Sequence, residues 1–194
     1  MTQRNGGADK IAPAIKSVLR ELGEDTGREG LLKTPARVSK ALRELTGGYS
    51  VDMDTLFNGA FFKVTANDLV SVTGISFYSL CEHHLLPFFG KVHVGYIPDK
   101  KIVGLSKIPK LVHAFAARLQ VQERFTRQIA DELLLRLAPQ GVAVVVEARH
   151  LCMEMRGARS MESNCVTSAM LGVFKKDHTA KDEFLRLIRK TGDL

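Results

Sequence analysis

The chain has 194 residues, of which 45% are hydrophobic, 25% charged and 7% aromatic. That is the profile of one globular unit and excludes a disordered, collagenous or coiled-coil architecture, and at this length a single core buries most of the apolar surface without disulfide staples. Lysine and arginine total 28 against 21 acids, a net charge of +7, which favours anionic partners: nucleic acid, phosphorylated small molecules or an anionic surface.

Residues 1–8 are polar and glycine-rich and read as a disordered tail, without the apolar stretch of a signal peptide, so a cytoplasmic setting is expected. From 9 to 22, Ile11, Ile15, Val18, Leu19 and Leu22 mark one face of a helix. After a polar break over 23–30, Thr34-Pro35 reads as an N-cap followed by proline at the first helical position. Val38, Ala41, Leu42 and Leu45 continue one face until Gly47-Gly48, and 49–60 reads as a loop. Residues 1–60 are thus expected to form a tail and helical arm, and the character changes near Phe61.

A strand is expected over 69–80, with Gly74 as a bulge point, and a second over 90–97, with Pro87 and Pro98 as punctuation. Helical patterns follow over 106–119 (Ile108, Leu111, Val112, Phe115, Leu119) and 121–137 (Phe125, Ile129, Leu133, Leu134, Leu137). Pro139-Gln140-Gly141 ends the second. Strands are expected over 142–153 and 164–174, then a short amphipathic helix at 184–188. The densest apolar run, 142–146, is far shorter than a membrane-spanning helix, so no membrane partner is expected. The order β-β-α-α-β-β over 61–194 predicts an α+β domain: an antiparallel sheet with the helix pair on one face.

Three cysteines, Cys81, Cys152 and Cys165, are too few and odd in number for a disulfide framework in a reducing compartment. Two of them lie in His-rich contexts, Cys81-Glu82-His83-His84 and His150-Leu151-Cys152. Ionised cysteine and neutral histidine are zinc ligands. Cys81 and His84, three apart in a loop leaving a strand, can close on one ion, and Cys152 can arrive from the strand begun at Val142. Two sulfurs and one nitrogen with an open fourth position match a catalytic zinc. Spacing leaves two alternatives: buried cysteines with incidental histidines, and a closed structural site completed by Cys165. If the strand runs to 153, Val146, Ala148, His150 and Cys152 share a face. His150 then stands beside the ion without ligating it, and His83 points away unless the loop turns. Both can move protons.

Ser106-Lys107-Ile108-Pro109-Lys110 opens a helix, where free N–H groups, the helix dipole and the lysines together attract phosphate. Arg156 and Arg159 follow the metal strand, Arg156 with the parity of Cys152. Solvated surface charge is the competing account of each. Gln122-Glu123 opens the next helix; capping accounts for Glu123, which can instead accept hydrogen bonds from an amino-substituted heterocycle. These patterns reach a zinc hydrolase of a phosphorylated or anionic substrate, and no further.

The motifs themselves resemble those of the GTP cyclohydrolase I family. They are Cys81-Glu82-His83-His84 with Pro87-Phe88, Gly104-Leu105-Ser106-Lys107, Gln120-Val121-Gln122-Glu123-Arg124, His150-Leu151-Cys152-Met153 with Met155-Arg156-Gly157, and Thr167-Ser168-Ala169-Met170-Leu171-Gly172. The likeness runs from about Leu31 to the C-terminal helix. It implies the tunnelling fold, whose β-β-α-α-β-β units join around a ring, and a homodecamer with active sites between subunits. It implies conversion of GTP and water to 7,8-dihydroneopterin triphosphate and formate, the entry to folate and pterin synthesis. The zinc ligands would be Cys81, His84 and Cys152, with water made acidic by the ion attacking C8 of guanine. His150 would protonate the imidazole ring nitrogen, and His83 would assist later proton transfers at the ribose. Glu123, with Gln122 beside it, would bind guanine. Ser106, Lys107, Lys110 and Arg156 would hold the triphosphate, joined by Arg37 of a neighbouring subunit. Lys110 stands where the family usually has arginine, so charge is kept and the bidentate fork lost. Cys165 matches no ligand.

Three rival readings are weaker. A purine- or pterin-binding relative without the chemistry would not need all the metal and proton-transfer residues. A nucleic-acid-binding module would gather its basic residues in a stripe with exposed aromatics, whereas here they scatter from Lys10 to Lys190. Zinc nucleoside deaminases carry a Cys-x-x-Cys that this sequence lacks.

Overall fold

The structure is a computed structural model describing residues 8–65 and 67–191; residues 1–7 of the tail expected over 1–8 lie outside the described residues. Helices α1 (Ile11–Glu21) and α2 (Thr34–Leu45) pair as the N-terminal arm. Thr34 is the first residue of α2 and not its cap; its hydroxyl donates back to the Gly30 carbonyl, and Lys33 holds the cap position. The expected loop over 49–60 is instead a 3-10 turn at Gly47–Ser50 and a short helix α3 (Met53–Phe57). Asp52 explains α3, since its carboxylate accepts from the Thr55 N–H at 2.8 Å, a good N-cap bond.

Strand β1 (Phe61–Lys63) pairs with β4 (Lys101–Val103) in a two-stranded ribbon beside the main sheet. Between them run β2 (Val70–Cys81) and β3 (Pro87–Ile97). Helix α4 (Lys107–Ala116), the two-residue β5 (Leu119–Gln120) and helix α5 (Gln122–Leu137) follow. The chain then passes through β6 (Gly141–His150), the one-turn α6 (Leu151–Glu154) and β7 (Cys165–Gly172). It closes with α7 (Val173–Lys176) and α8 (His178–Thr191). The main sheet has the order β5-β2-β3-β6-β7. Every neighbour pair is antiparallel except β2 with β5.

The alternating apolar residues of the strands give the sheet two different faces. Phe77, Val92, Val94, Tyr96, Val144 and Val146 point to one side and pack with Ile108, Leu111, Phe125, Ile129 and Leu133 of the α4–α5 pair. This is the expected α+β arrangement with the helix pair on one face. Phe57 of α3 joins the same core. On the opposite face Ala143 and Val145 are covered by Phe174, Ala180, Phe184 and Ile188 of the last two helices. The bulge falls where glycine permits it: Gly74 has φ +71, and the β2–β3 register shifts between Val72 and Ile75.

Two boundaries differ from the sequence expectation in ways that matter for the site. The helix expected over 106–119 ends at Ala116, and Leu119–Gln120 becomes β5 alongside the end of β2. The strand expected over 142–153 stops at His150, and Cys152 lies on the turn of helix α6. The cause is the neighbouring strand. The β3–β6 ladder ends with Phe88 opposite His150, and β3 begins at Pro87, which has no N–H to extend it. The parity argument therefore holds to His150 and fails for Cys152 and Arg156.

Candidate active site

Antiparallel pairing brings the end of β2, the start of β3, the end of β6 and the start of β7 to one end of the sheet, and α5 begins there. Cys81 is the last residue of β2 and is buried. The chain then reverses tightly: the Cys81 N–H donates to the Leu86 carbonyl at 2.9 Å and the Leu85 N–H to the Cys81 carbonyl at 2.8 Å. Leu85 takes φ +56, a left-handed conformation costly for a branched side chain, in the residue after His84.

The reversal answers the open question about His83. Its Nδ1 lies 3.9 Å from Cys81 Sγ, the same separation as His84 Nδ1. The donor atoms of Cys81, His84 and Cys152, the last carried in by α6, all lie within 4.8 Å of one another. All three cysteines are free thiols, and Cys165 is not in the group. Burial, and then the neighbouring Cys81, push the Cys152 thiol above its ordinary pKa. Two crowded thiols and an imidazole are a donor set suited to a soft divalent cation, whose charge stabilises the thiolates that burial disfavours.

His150 is half-buried beside this group. Its ring stacks on Phe88, with centroids 4.7 Å apart and planes 7° from parallel. Its Nε2 lies 2.7 Å from Gln122 Oε1. The orientation of the Gln122 amide is fixed by its other end, where Nε2 donates to the Val146 carbonyl at 3.0 Å, the Cys165 carbonyl at 2.9 Å and Thr167 Oγ1 at 3.1 Å. Gln122 Oε1 is therefore an acceptor, His150 Nε2 carries a hydrogen, and Nδ1 is the nitrogen left for exchange. Burial lowers the His150 pKa, against the opposing pull of Glu123 and Glu154. Gln122 itself is buried, with both ends of its amide engaged inside the chain, so its side chain orients His150.

Glu123, one residue on, is exposed in the first turn of α5. It borders a groove of about 350 Å³ between α5 and the edge strand β7, lined also by Thr126, Arg127, Thr167 and Ser168. Arg156 is exposed just past α6, close enough to favour the Cys152 thiolate.

The other expected phosphate residues fall elsewhere. Ser106 sits at the cap position of α4 but its side chain makes no cap bond. Lys107 Nζ donates to the Leu56 carbonyl at 2.8 Å, and Lys110 borders a groove of about 660 Å³ with Glu44, Asp52 and His113. Helix α4 runs alongside β2 in the same direction: His113 Nε2 is 3.0 Å from the Ser76 carbonyl, and Ser79 Oγ donates to the Ala116 carbonyl at 2.7 Å. The C-terminal end of α4 is thus near Cys81, and Lys107 lies about 15 Å further back along the helix. Arg37 is exposed on α2, whose contacts run to α1 and the 3-10 turn.

Sequence reasoning gave no role to Phe88, Gln120, Arg124, Thr126 and Thr167. Gln120 and Arg124 tie α5 to the Cys81–His84 turn, and Thr126 Oγ1 meets Thr167 Oγ1 at 2.6 Å beneath the Gln122 amide. The available signal was the density of polar residues in Gln120-Val121-Gln122-Glu123-Arg124, too many for an ordinary helix start.

Against known proteins, the GTP cyclohydrolase I family model matches residues 11–189. The GTP cyclohydrolase 1 of Leptospira biflexa serovar Patoc is 55% identical over 175 residues, 90% of this chain and 96% of its own length. That of Campylobacter lari is 53% identical over 180 residues, covering 93% and 95%. That of Gloeobacter violaceus is 52% identical over 185 residues, covering 95% and 86%. Among solved structures, the archaeosine synthase QueF-Like in its apo form aligns with a TM-score of 0.46 at 18% identity, over 56% of this chain and 97% of that one. That likeness is too distant to bear on chemistry.

Proposed function

The chain belongs to the GTP cyclohydrolase I family, and on that premise we propose that it converts GTP and water to 7,8-dihydroneopterin triphosphate and formate, with zinc held by Cys81, His84 and Cys152. The observation that carries the reading is the convergence of those three donor atoms within 4.8 Å at the sheet end where His150 also stands. When bound, zinc would supply Lewis acidity, lowering the pKa of water so that a hydroxide nucleophile is available near neutral pH.

The remaining roles belong to side chains. Glu123, at the rim of the α5–β7 groove, accepts hydrogen bonds from the guanine N–H groups. His150, oriented by Gln122 and stacked on Phe88, takes up a proton at Nδ1 from water and passes it to the imidazole ring nitrogen as the ring opens. Gln122 serves through His150, which replaces the expectation that it touches guanine. His83, on the same turn as His84, moves protons at the ribose in the later rearrangement. Arg156 reaches the phosphates from the metal side.

Ser106, Lys107 and Lys110, with Arg37 on the arm, complete the triphosphate site from neighbouring copies. The length of α4 between Lys107 and Cys81 supports an active site shared between subunits; the ring-shaped homodecamer and the tunnelling fold rest on the family membership. In the same reading, residues 1–60 are an arm and 61–194 the catalytic unit. Its setting is the cytoplasm, at the entry to folate and pterin synthesis; among the described residues no helix is long and apolar enough to cross a membrane.

Elemental analysis of the purified oligomer, combined with GTP turnover followed by pterin fluorescence after oxidation, tests the reading. One zinc per chain and equal yields of formate and pterin are expected. Loss of zinc in Cys165→Ser with retention in Cys152→Ser would overturn the ligand assignment.

A further inference from the structure

We propose that Arg124 is a positioning residue for the metal site, clamping the Cys81–His84 turn through Glu82. The inference rests on the zinc-ligand assignment above and extends it to two residues to which that assignment gives no role.

The turn that carries two of the three ligands is short and exposed: Glu82, His83, His84 and Leu85 are all open to solvent, and Leu85 is held in a left-handed conformation. Left to itself such a turn would sample several shapes, and a metal site gains affinity when its ligands are held in place beforehand. The structure ties it down from one direction. Strand β5 pairs in parallel with the end of β2, setting Leu119 opposite Leu80 and Gln120 opposite Cys81. The Glu82 N–H donates to the Gln120 carbonyl at 3.0 Å. A two-residue parallel strand contributes little to a sheet, and its position beside a metal ligand is its evident use.

Arg124, in the first turn of α5, extends this attachment to the side chains. Its Nη2 donates to the Glu82 carboxylate and, at 3.1 Å, to the Leu119 carbonyl, while its Nε donates at 3.2 Å to Gln120 Oε1. Gln120 is itself immobile: it is buried, and its Nε2 donates to the Phe115 carbonyl at 3.0 Å and to Gln128 Oε1 at 2.9 Å. One guanidinium therefore joins the turn, β5 and a fixed buried amide. Only arginine offers enough donors in a planar fork to do so. The Glu82–Arg124 pair is a third or more exposed, and as an isolated ion pair it would contribute little to global stability. Its consequence is local: it fixes the residue between Cys81 and the two histidines.

The test uses the zinc-loaded oligomer and follows zinc transfer to a chromophoric chelator. Arg124→Gln and Glu82→Gln are each expected to lose zinc about tenfold faster than the parent. The double variant should lose it no faster than the faster single, because the two residues act through each other. Arg124→Lys, which keeps charge without the fork, should fall between. Unfolding midpoints of the metal-free proteins should coincide with the parent's. Parent-like zinc loss in both singles, additive effects in the double, or a matching drop in metal-free stability would overturn the clamp. Cys81→Ser and Cys152→Ser, measured in parallel, separate the two claims. If they lose zinc while Arg124→Gln behaves as parent, the clamp alone fails; if they keep zinc, the ligand assignment fails and the clamp with it.

Discussion

His150 stands two residues before Cys152, a proposed metal ligand, yet is held by contacts of its own, the Phe88 ring and the Gln122 amide. Replacing it should therefore leave the ligands in place. His150→Ala is expected to retain its zinc by elemental analysis and to lose dihydroneopterin triphosphate formation by about a hundred- to ten-thousand-fold, the usual loss for a positioned acid-base group. Zinc loss in that variant would make His150 a fourth ligand. A second histidine governs stability. His93 is buried on β3, accepts from the Gly74 N–H at Nδ1 (3.3 Å), and has Glu147 at 4.0 Å from an Nε2 that makes no hydrogen bond. Burial lowers its pKa below 6.5, opposed by Glu147 and assisted by Lys91. The unfolded chain then takes up a proton near pH 6.5 that the folded chain refuses. This contribution is intact above that pH and is lost as pH falls towards the folded pKa. His93→Gln keeps an acceptor for Gly74, so its stability should fall less steeply below pH 6.5 than the parent's in urea titrations at stepped pH.

At the scale of elements, the β3–β6 ladder sets the geometry of the site, because its last pair, Phe88 with His150, marks where β6 ends and α6 begins. The ladder depends on close approach at Gly90, opposite Ala148. A methyl group there would sit 1.9 Å from the Glu147 carbonyl oxygen and 2.8 Å from the Ala148 Cα, both backbone atoms that cannot move aside. Gly90→Ala is expected to destabilise the fold by about 3 kcal/mol, the upper range for overpacking, and to lower zinc content with it, since the distortion falls two pairs from His150. Chemical unfolding of the purified variant checks the first and elemental analysis the second. A variant as stable as the parent would mean that the two strands separate more easily than their pairing implies.

At the scale of the molecule, a single chain sets the two groups of residues proposed for metal and phosphate apart. The metal group lies at one end of the sheet, and Lys107 lies about a helix length behind it. If each active site takes its metal side from one copy and its lysines from the next, two inactive variants should rescue each other. Lys107→Ala and His150→Ala, each expected to be nearly inactive, should regain about a quarter of the parent's rate after dissociation and random reassembly in equal amounts. A mixture no more active than its components would place both groups in the site of one chain.

Much of this was open to reading from the sequence, because it depends on local chemistry. The two periodicities, 3.6 and 2, marked the α4–α5 pair and the long strands, and Gly74 marked the bulge because glycine takes positive φ at little steric cost. The residue types and spacing in Cys81-Glu82-His83-His84 pointed to a metal before any fold was known. What the sequence left open were contacts between segments far apart along the chain. Cys152 was assigned to a strand because the apolar run from Val142 reads as a strand continuing to 153; only the end of the neighbouring β3 at Pro87 decides that it rides on a helical turn. Gln122 was expected at the substrate through the family resemblance, which sets it beside Glu123. Its actual partners, the Val146 and Cys165 carbonyls, Thr167 and His150, lie 24, 43, 45 and 28 residues away. Arg124 and Glu82 are 42 residues apart. Hydrogen-bond partnership across such distances follows from strand order and helix placement, which local propensity does not encode, so the tertiary structure alone decided which polar residues hold the Cys81–His84 turn.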